Sequence, residues 1–357
     1  MMAWFTLGNL FPSKNKKVTP NAPVSIIIAV RNGAKSLPRL ISQLSSQNHS
    51  GEMEFIFIDD ESTDSSREII NKKTNRDSRF ILEDSSNGDN TLSHKKRALD
   101  AGIKRAKNEW LLFTDVDCEL NKYWVSEMAT YFDKNIHYIV GYSEVESQKN
   151  WVTKFQSLDF LMLMVANRGT SNSGIHWASS GQNQAYRKSL FNSVNGFDHL
   201  SKYLQGDDSL FLQMCKKYKP IKIVFLDSIK SRVKARQEIN WISLFKQRLR
   251  WAGDAKIMWK FNPIFFTSIF ITFIHILLLL IMMVFGIFFK RYYLSISILF
   301  LTIHIISEFI LYNTACYLFN KKIRLFDFIF WSTIHIPFVV ILGISSLNPN
   351  KLSWRGR

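Results

Sequence analysis

Two aspartates two residues apart, Asp115 and Asp117, close an apolar run that begins at Trp110. In extended chain, positions i and i+2 point to the same side, so both carboxylates would face one ligand. Paired hard oxygens suit Mg²⁺ or Mn²⁺. The fit is best for a cation shared with a diphosphate, which carboxylates repel unless a divalent ion lies between them. A second acidic pair, Asp59 and Asp60, follows the apolar run 54–58. There is no GxGxxG after the first apolar run and no GxxxxGKS/T anywhere, so both glycine-rich ways of cradling a phosphate lack their residues. A lone Asp-x-Asp is also a common solvated turn; its place at the end of a buried strand favours the metal.

The elements that must position these groups are legible. Residues 24–30 (VSIIIAV) form a continuous β-branched run, the mark of a strand buried on both faces. Asn32 and Gly33 turn the chain, and Leu37, Leu40, Ile41 and Leu44 repeat at helical spacing. A second strand is expected at 54–58. A helix is expected over 62–70 with Ser62 or Thr63 as N-cap, a short strand at 80–82, a helix at 95–106 and a strand at 110–114. Strands alternating with helices imply a parallel α/β sheet, and such sheets bind ligands at the carboxyl ends of their strands. Both acidic pairs stand at such ends.

The 357 residues carry 46 Lys+Arg against 29 Asp+Glu, a net +17, unevenly spread. Residues 261–357 hold only 8 basic and 2 acidic residues in an otherwise apolar segment. This composition excludes a disordered, collagenous or coiled-coil chain. Cys118, Cys215 and Cys316 are widely spaced and odd in number, fitting neither a disulfide scaffold nor a metal spacing, and a reducing compartment suits them. The basic residues are scattered, which fits an anionic cytoplasmic leaflet better than nucleic acid, so no nucleic-acid partner is expected.

Three windows are long enough to span a bilayer: 264–289 and 328–347 without a formal charge, and 292–319 with Glu308 alone. Arg248, Arg250, Lys256 and Lys260 precede the first, so the positive-inside rule starts the spans in the cytoplasm. Three full spans would then put the basic tail outside, unless one window is re-entrant. Each window holds one histidine, His275, His304 or His335, and Glu308 lies one turn from His304; hydrogen bonding between spans is the expected role. The expected division is a leader at 1–22, lying at the membrane interface or frayed, and an α/β catalytic domain at 23–240. An interfacial basic-aromatic helix at 241–260, a membrane region at 261–350 and a basic tail at 351–357 follow.

Five blocks in order now resemble a known family, the inverting family 2 glycosyltransferases of GT-A fold, in their membrane-integrated branch. SIIIAVRNG (25–33) resembles the first strand and turn, and FIDDESTD (57–64) the nucleotide-binding block. HKKRAL (94–99) with TDVDC (114–118) resembles the lysine helix and the metal-binding DxD. GQNQAYRKSLFNSVNGF (181–197) with Gly206, Asp207 and Asp208 resembles the acceptor-side block ending in the general base, and QRLRW (247–251) matches QxxRW. The sequence departs from the pattern in reading GDD where processive polymerases have TED, and the N-terminal span common in such enzymes is missing. The tail WRGR (354–357) is similar to that of lipid-glycosylating relatives.

The resemblance implies a fold and roles. The fold is a Rossmann-like, mostly parallel GT-A sheet followed by C-terminal transmembrane helices. Val30, Asn32, Asp59, Asp60, Lys95 and Asp115 would bind the nucleotide sugar, with Asp59 and Asp60 at the nucleoside and Lys95 and Lys96 near the diphosphate. Asp115 and Asp117 would hold the metal. Asp208 would be the general base, with Asp207 the competing choice and an N-cap the plainer role for either. Gln247, Arg250 and Trp251 would lie over acceptor and diphosphate, or serve as interfacial anchors. The implied activity is transfer of a sugar from a nucleotide-diphosphate donor to a lipid or lipid-linked hydroxyl by metal-assisted inverting displacement. The enzyme would be integral to a bacterial-type inner membrane, its catalytic domain cytoplasmic. The alternatives are a processive polysaccharide synthase, against which the missing TED and the small number of spans argue, and a catalytically silent sugar-nucleotide binder, against which the unbroken carboxylate set argues.

Overall fold

The computed structural model describes residues 2–11, 21–203 and 206–347; the tail at 351–357 lies outside them. The chain forms two compact units. The α/β unit comprises residues 12–144 and 176–236; the helical unit comprises 1–11, 145–175 and 237–357.

In the α/β unit the strands are β1 (Val24–Val30), β2 (Met53–Asp59), β3 (Phe80–Asp84), β4 (Trp110–Phe113), β5 (Glu119–Leu120), β6 (Tyr138–Gly141), β7 (Ser143–Val145), β8 (Gln184–Arg187), β9 (Ile223–Leu226) and β10 (Val233–Ala235). Seven form one sheet in the order β3-β2-β1-β4-β8-β6-β9; β5, β10 and β7 form a second, smaller sheet. All pairs in the main sheet are parallel except those of β8, which runs antiparallel to β4 and β6. All seven residues of β2 are buried, as a strand covered on both faces requires. The register sets the carboxyl edge: Val30 pairs with Asp59 and Asp59 with Asp84, so three strands end level. Because β8 is reversed, the loop that precedes it meets the same edge as Thr114 and Asp115.

The helices begin with α1 (Met2–Leu10), α2 (Leu37–Ser45), α3 (Ser66–Thr74), α4 (His94–Arg105) and α5 (Trp124–Ala129). They continue with α6 (Trp151–Asn172), α7 (Lys188–Ser193), α8 (Ser209–Tyr218) and α9 (Trp241–Phe261). Helix α3 starts four residues later than the capping pattern at 62–63 indicates. Ser62, Thr63 and Asp64 are engaged across the neighbouring loop: Asn32 N donates to Ser62 Oγ (3.1 Å), Thr63 N to Asn32 Oδ1 (2.8 Å) and Ala34 N to Asp64 Oδ2 (3.0 Å).

The helical unit closes with α10 (Pro263–Phe288), α11 (Arg291–Leu318) and α12 (Leu325–Ser346). All three are long and apolar enough to cross a membrane. Their polar residues meet inside the unit. Glu308 is fully buried, its Oε1 3.2 Å from His304 Nε2 and 3.4 Å from His335 Nδ1, while Ser332 Oγ donates to its Oε2 (2.8 Å). The His275 and His304 rings are 5.4 Å apart. The three spans thus share one polar cluster, as expected for interhelical hydrogen bonding.

The units do not follow the linear boundaries expected at residues 22, 240 and 260. Helix α6 packs against α1, α11 and α12, and α1 against α6 and α11, so both belong with the spans. The α1–α6 crossing is backbone on backbone. A Cβ on Gly8 would lie 2.1 Å from Gly169 O, and one on Gly169 would lie 2.4 Å from Phe5 O. Beside the crossing, buried Asn9 donates to Val165 O (2.8 Å) and accepts from Arg168 Nη1 (2.9 Å). Gly169→Val should therefore force the helices apart and cost about 1–3 kcal/mol, the usual range for overpacking. A thermal melt of the purified protein in detergent measures this, and an unchanged melting temperature would refute the crossing.

Candidate active site

The site of the α/β unit is built on the carboxyl edge of its sheet. Beyond β4 the chain turns instead of staying extended as the i, i+2 spacing implied: Cys118 N donates to Asp115 O (3.1 Å), leaving Asp115 and Asp117 half-buried while Val116 and Cys118 are buried. Asp115, Asp117 and Cys118 each offer a ligand atom within 4.8 Å of the others. Burial, reinforced by the charges of Asp115 and Asp117, pushes the Cys118 thiol well up. The thiol therefore stays protonated and the two carboxylates are the donors, a set that fits a hard divalent cation.

Helix α4 brings Lys95 to this edge. Its Nζ lies 2.8 Å from Asp115 Oδ1 and 3.0 Å from Asp207 Oδ2. Burial opposes the ammonium, but the carboxylates of Asp115 and Asp207 outweigh it and raise the lysine above its ordinary range. Lys96, expected beside it near a diphosphate, is directed elsewhere. It is buried, and its Nζ donates to Leu200 O (2.6 Å) and to Tyr203 O. Its ammonium ties together two carbonyls of the stretch 200–203, a structural task.

The third acidic group stands at the start of α8. Asp208 is the N-cap: Oδ1 accepts from Ser209 N (2.5 Å) and Oδ2 from Gly181 N (3.3 Å). The capping role set beside the catalytic one is thus real, and the two are compatible. The loop before β8 is locked to this helix, since Ser209 Oγ donates to Ser179 O (2.9 Å) and Gln184 Nε2 to Asp207 O (3.1 Å). Gly181 faces the cluster; a Cβ there would sit 3.1 Å from both Asp207 Oδ2 and Lys95 Nζ. Burial first, then the neighbouring Asp207 carboxylate, pushes the Asp208 carboxyl above its ordinary range.

Asp59 and Asp60 are both buried at the end of β2 and its following turn. Asp59 is held by Arg67, whose Nη1 lies 3.1 Å from its Oδ2 and 3.0 Å from Asp84 Oδ2, and by Ser62 N (3.2 Å). Asp60 N donates to Val30 O (2.8 Å), extending the β1–β2 ladder past the strand. Arg31 Nη1 donates to Asp60 O (2.9 Å). Burial raises the Asp60 carboxyl against the pull of Arg31. Asn32 adopts a left-handed backbone (φ 51°), and its Oδ1 is taken by Thr63. Val30, Asn32, Asp59 and Asp60 are therefore brought together on two stitched loops, and Lys95, Asp115, Asp207 and Asp208 form a second group. Arg31 and Arg67 were not evident in the sequence, where they are two among many scattered cations.

Gln247, Arg250 and Trp251 lie on α9 of the helical unit. Gln247 Oε1 accepts from Arg248 Nη1 (2.9 Å) and Gln156 Nε2 (3.3 Å). Arg248, an unassigned position inside QRLRW, is buried. It is bonded to Asp159 Oδ2 of α6 through Nε (2.8 Å) and paired with it through Nη2 (2.6 Å). Its guanidinium carbon lies 4.2 Å from the centroid of Trp251. Arg250 is half-buried and Trp251 partly exposed. The signal for this pair was Asp159 itself, a carboxylate in the otherwise apolar run 158–165.

Comparison with known proteins places this arrangement. A family model for glycosyl transferase family 2 matches residues 25–194, and one for glycosyl transferase family group 2 matches residues 110–321, more than half of the chain. The poly-beta-1,6-N-acetyl-D-glucosamine synthase of Staphylococcus epidermidis is 26% identical over 179 residues, 49% of this chain and 42% of that protein. The 4,4'-diaponeurosporenoate glycosyltransferase of Staphylococcus haemolyticus is 32% identical over 108 residues, 30% of this chain and 28% of that protein. These matches thus span less than half of either relative. The mannosyltransferase PcManGT from Pyrobaculum calidifontis, solved with GDP-Man and Mn²⁺, superposes with a TM-score of 0.56 at 14% identity, covering 96% of this chain and 93% of that one. At that identity the likeness bears on the fold, a GT-A glycosyltransferase fold. The chain therefore belongs to the family 2 glycosyltransferases and is itself a glycosyltransferase.

Proposed function

We propose that this enzyme transfers one sugar from a nucleotide-diphosphate donor to the hydroxyl of a lipid or lipid-linked acceptor, with inversion at the anomeric carbon. The observation that carries the reading is the gathering of Asp115, Asp207 and Asp208 around Lys95 and Gly181. It supports a cation site and a base on one sheet edge. Asp115 and Asp117 would hold Mg²⁺ or Mn²⁺, which when bound neutralises charge on the departing diphosphate. A solved relative in fold contains Mn²⁺ with GDP-Man, which supports this choice. Val30, Asn32, Asp59 and Asp60 are assigned to the nucleoside, and Gln247, Arg250 and Trp251 to acceptor and diphosphate.

In the displacement, the acceptor oxygen forms its bond to the anomeric carbon as the bond to the diphosphate oxygen breaks. Asp208 takes the hydroxyl proton, and its raised carboxyl suits that work near neutral pH. Asp207, one residue earlier, is the competing choice. The three apolar helices support integral membrane placement. We assign the α/β unit to the cytoplasmic side, where nucleotide sugars are made. The carotenoid-named relative supports a lipid acceptor. The N-acetylglucosamine polymer synthase supports the second reading, a processive synthase.

One experiment separates the two. Membranes carrying the protein are incubated with a panel of radiolabelled nucleotide sugars, with and without EDTA. Label extractable into organic solvent, lost with EDTA and restored by Mn²⁺, is expected. Label retained as polymer would establish the second reading. Full activity of Asp117→Ala in excess EDTA would overturn the metal assignment.

A further inference from the structure

Lys95 holds an unusual position among the carboxylates. Its ammonium is bonded to the same oxygen, Asp115 Oδ1, that the metal reading needs (2.8 Å), and equally to Asp207 Oδ2 (3.0 Å). The side chain is 22% exposed, so solvent screens these contacts only in part. Gly181 leaves the space for it: any side chain at that position would press on both Nζ and the Asp207 oxygen. Asp115 and Asp207 come from different parts of the chain, one after β4 and one before α8, and Lys95 is the contact that joins their carboxylates. A divalent cation on Asp115 and an ammonium on its Oδ1 disfavour each other, since both are positive and would stand a few ångströms apart on one carboxylate.

We infer that Lys95 is a built-in counter-ion that closes the donor-free site by bridging Asp115 and Asp207, and that it is exchanged for the divalent cation when a nucleoside diphosphate arrives. This rests on the metal reading above. In the donor-free enzyme the lysine competes with the metal, so the metal alone binds weakly. A diphosphate changes the balance because its anionic oxygens give the displaced ammonium a new partner. Metal and diphosphate therefore load together, and Asp207 is released from Lys95 in the same step. Lys95 is in this respect a positioning residue whose charge sets the loading order.

The test reads Mn²⁺ binding directly, by electron paramagnetic resonance of free Mn²⁺ over the full-length protein in detergent, without nucleotide and with UDP or GDP. Wild type should bind Mn²⁺ weakly alone and tightly with the matching nucleotide. Lys95→Met should raise nucleotide-free Mn²⁺ affinity by roughly tenfold or more, as expected for removing a unit charge a few ångströms away, and should shrink the gain from nucleotide. Lys95→Arg, which keeps the charge, should retain the wild-type order. Lys95→Gln, which keeps a polar chain among the carboxylates, repeats the measurement should the methionine variant fail to fold. Nucleotide-free affinity unchanged in Lys95→Met and Lys95→Gln, with Mn²⁺ still bound in the presence of nucleotide, overturns the exchange alone. Absence of Mn²⁺ binding in wild type with either nucleotide overturns the metal reading and the exchange with it.

Discussion

Asp208→Asn should slow sugar transfer by roughly 10²–10⁴, the usual contribution of a positioned general base, with nucleotide affinity almost unchanged. The variant is a clean one because asparagine is as good an N-cap as aspartate. Its amide oxygen can still accept from Ser209 N, so α8 keeps its start. What is lost is the ability to take a proton, together with the acceptor for Gly181 N, a long contact at 3.3 Å. The pH dependence follows with a definite sign. Burial and Asp207 raise the Asp208 carboxyl in the folded protein, so the base becomes protonated, and wild-type activity falls, at a pH above the usual carboxylate range. The same shift means that ionised Asp208 lowers stability at neutral pH, a cost absent below the unfolded-state pKa. The asparagine variant should therefore be at least as stable as wild type at pH 7. Single-turnover rates and a thermal melt measure both quantities. A large rate loss in Asp207→Asn with none in Asp208→Asn would move the base by one residue.

Asp159→Ala should destabilise the helical unit by about 3–5 kcal/mol, the penalty for stranding one member of a buried ion pair. Arg248 is only 5% exposed, and Asp159 is its carboxylate partner. Replacing both, as Asp159→Leu with Arg248→Met, should recover most of that stability, because well-packed apolar side chains often match a buried pair. It should not recover acceptor transfer, since Arg248 also holds Gln247 by a 2.9 Å hydrogen bond and stacks on Trp251. Unfolding in detergent and transfer assays on the same preparations separate the two effects. A single variant within 1 kcal/mol of wild type, on the scale of an exposed pair, would show that the pair is not buried as described.

The central strands were readable because their apolar runs are continuous; β1 spans 24–30 as expected. The spans were readable for the same reason, each helix matching its window to within three residues at either end. The closeness of Asp115 and Asp117 was legible too, but it is a turn closed by Cys118 N on Asp115 O, not extended chain, that brings their carboxylates within 4.8 Å. The start of α3 was not legible, because Ser62, Thr63 and Asp64 bond to residues of another loop, and local capping rules cannot see that competition. Lys95 and Lys96 are adjacent and chemically identical, yet successive helical residues point about 100° apart. One meets carboxylates and the other carbonyls, and which is which depends on the rotation of α4 over the sheet. The discontinuous helical unit was likewise hidden: α1 is too short and α6 too polar at its ends to read as partners of spans far along the chain.

That discontinuity has a consequence during biosynthesis. Helix α1 leaves the ribosome ahead of its partners: α6 follows some 140 residues later and α11 some 120 residues after that. The Gly8–Gly169 crossing must wait for α6 and the Arg248–Asp159 pair for α9, and the flank of α6 that α11 and α12 cover stays open until those helices emerge. The α/β unit can close its main sheet once β9 has emerged, so it matures while the helical unit is still a set of waiting segments. A nascent chain stopped before α10 would therefore carry a finished main sheet and an α6 still uncovered on the side that α11 and α12 occupy. Such truncated products present apolar surface to chaperones and proteases, and synthesis of α10, α11 and α12 sets when α6 is covered.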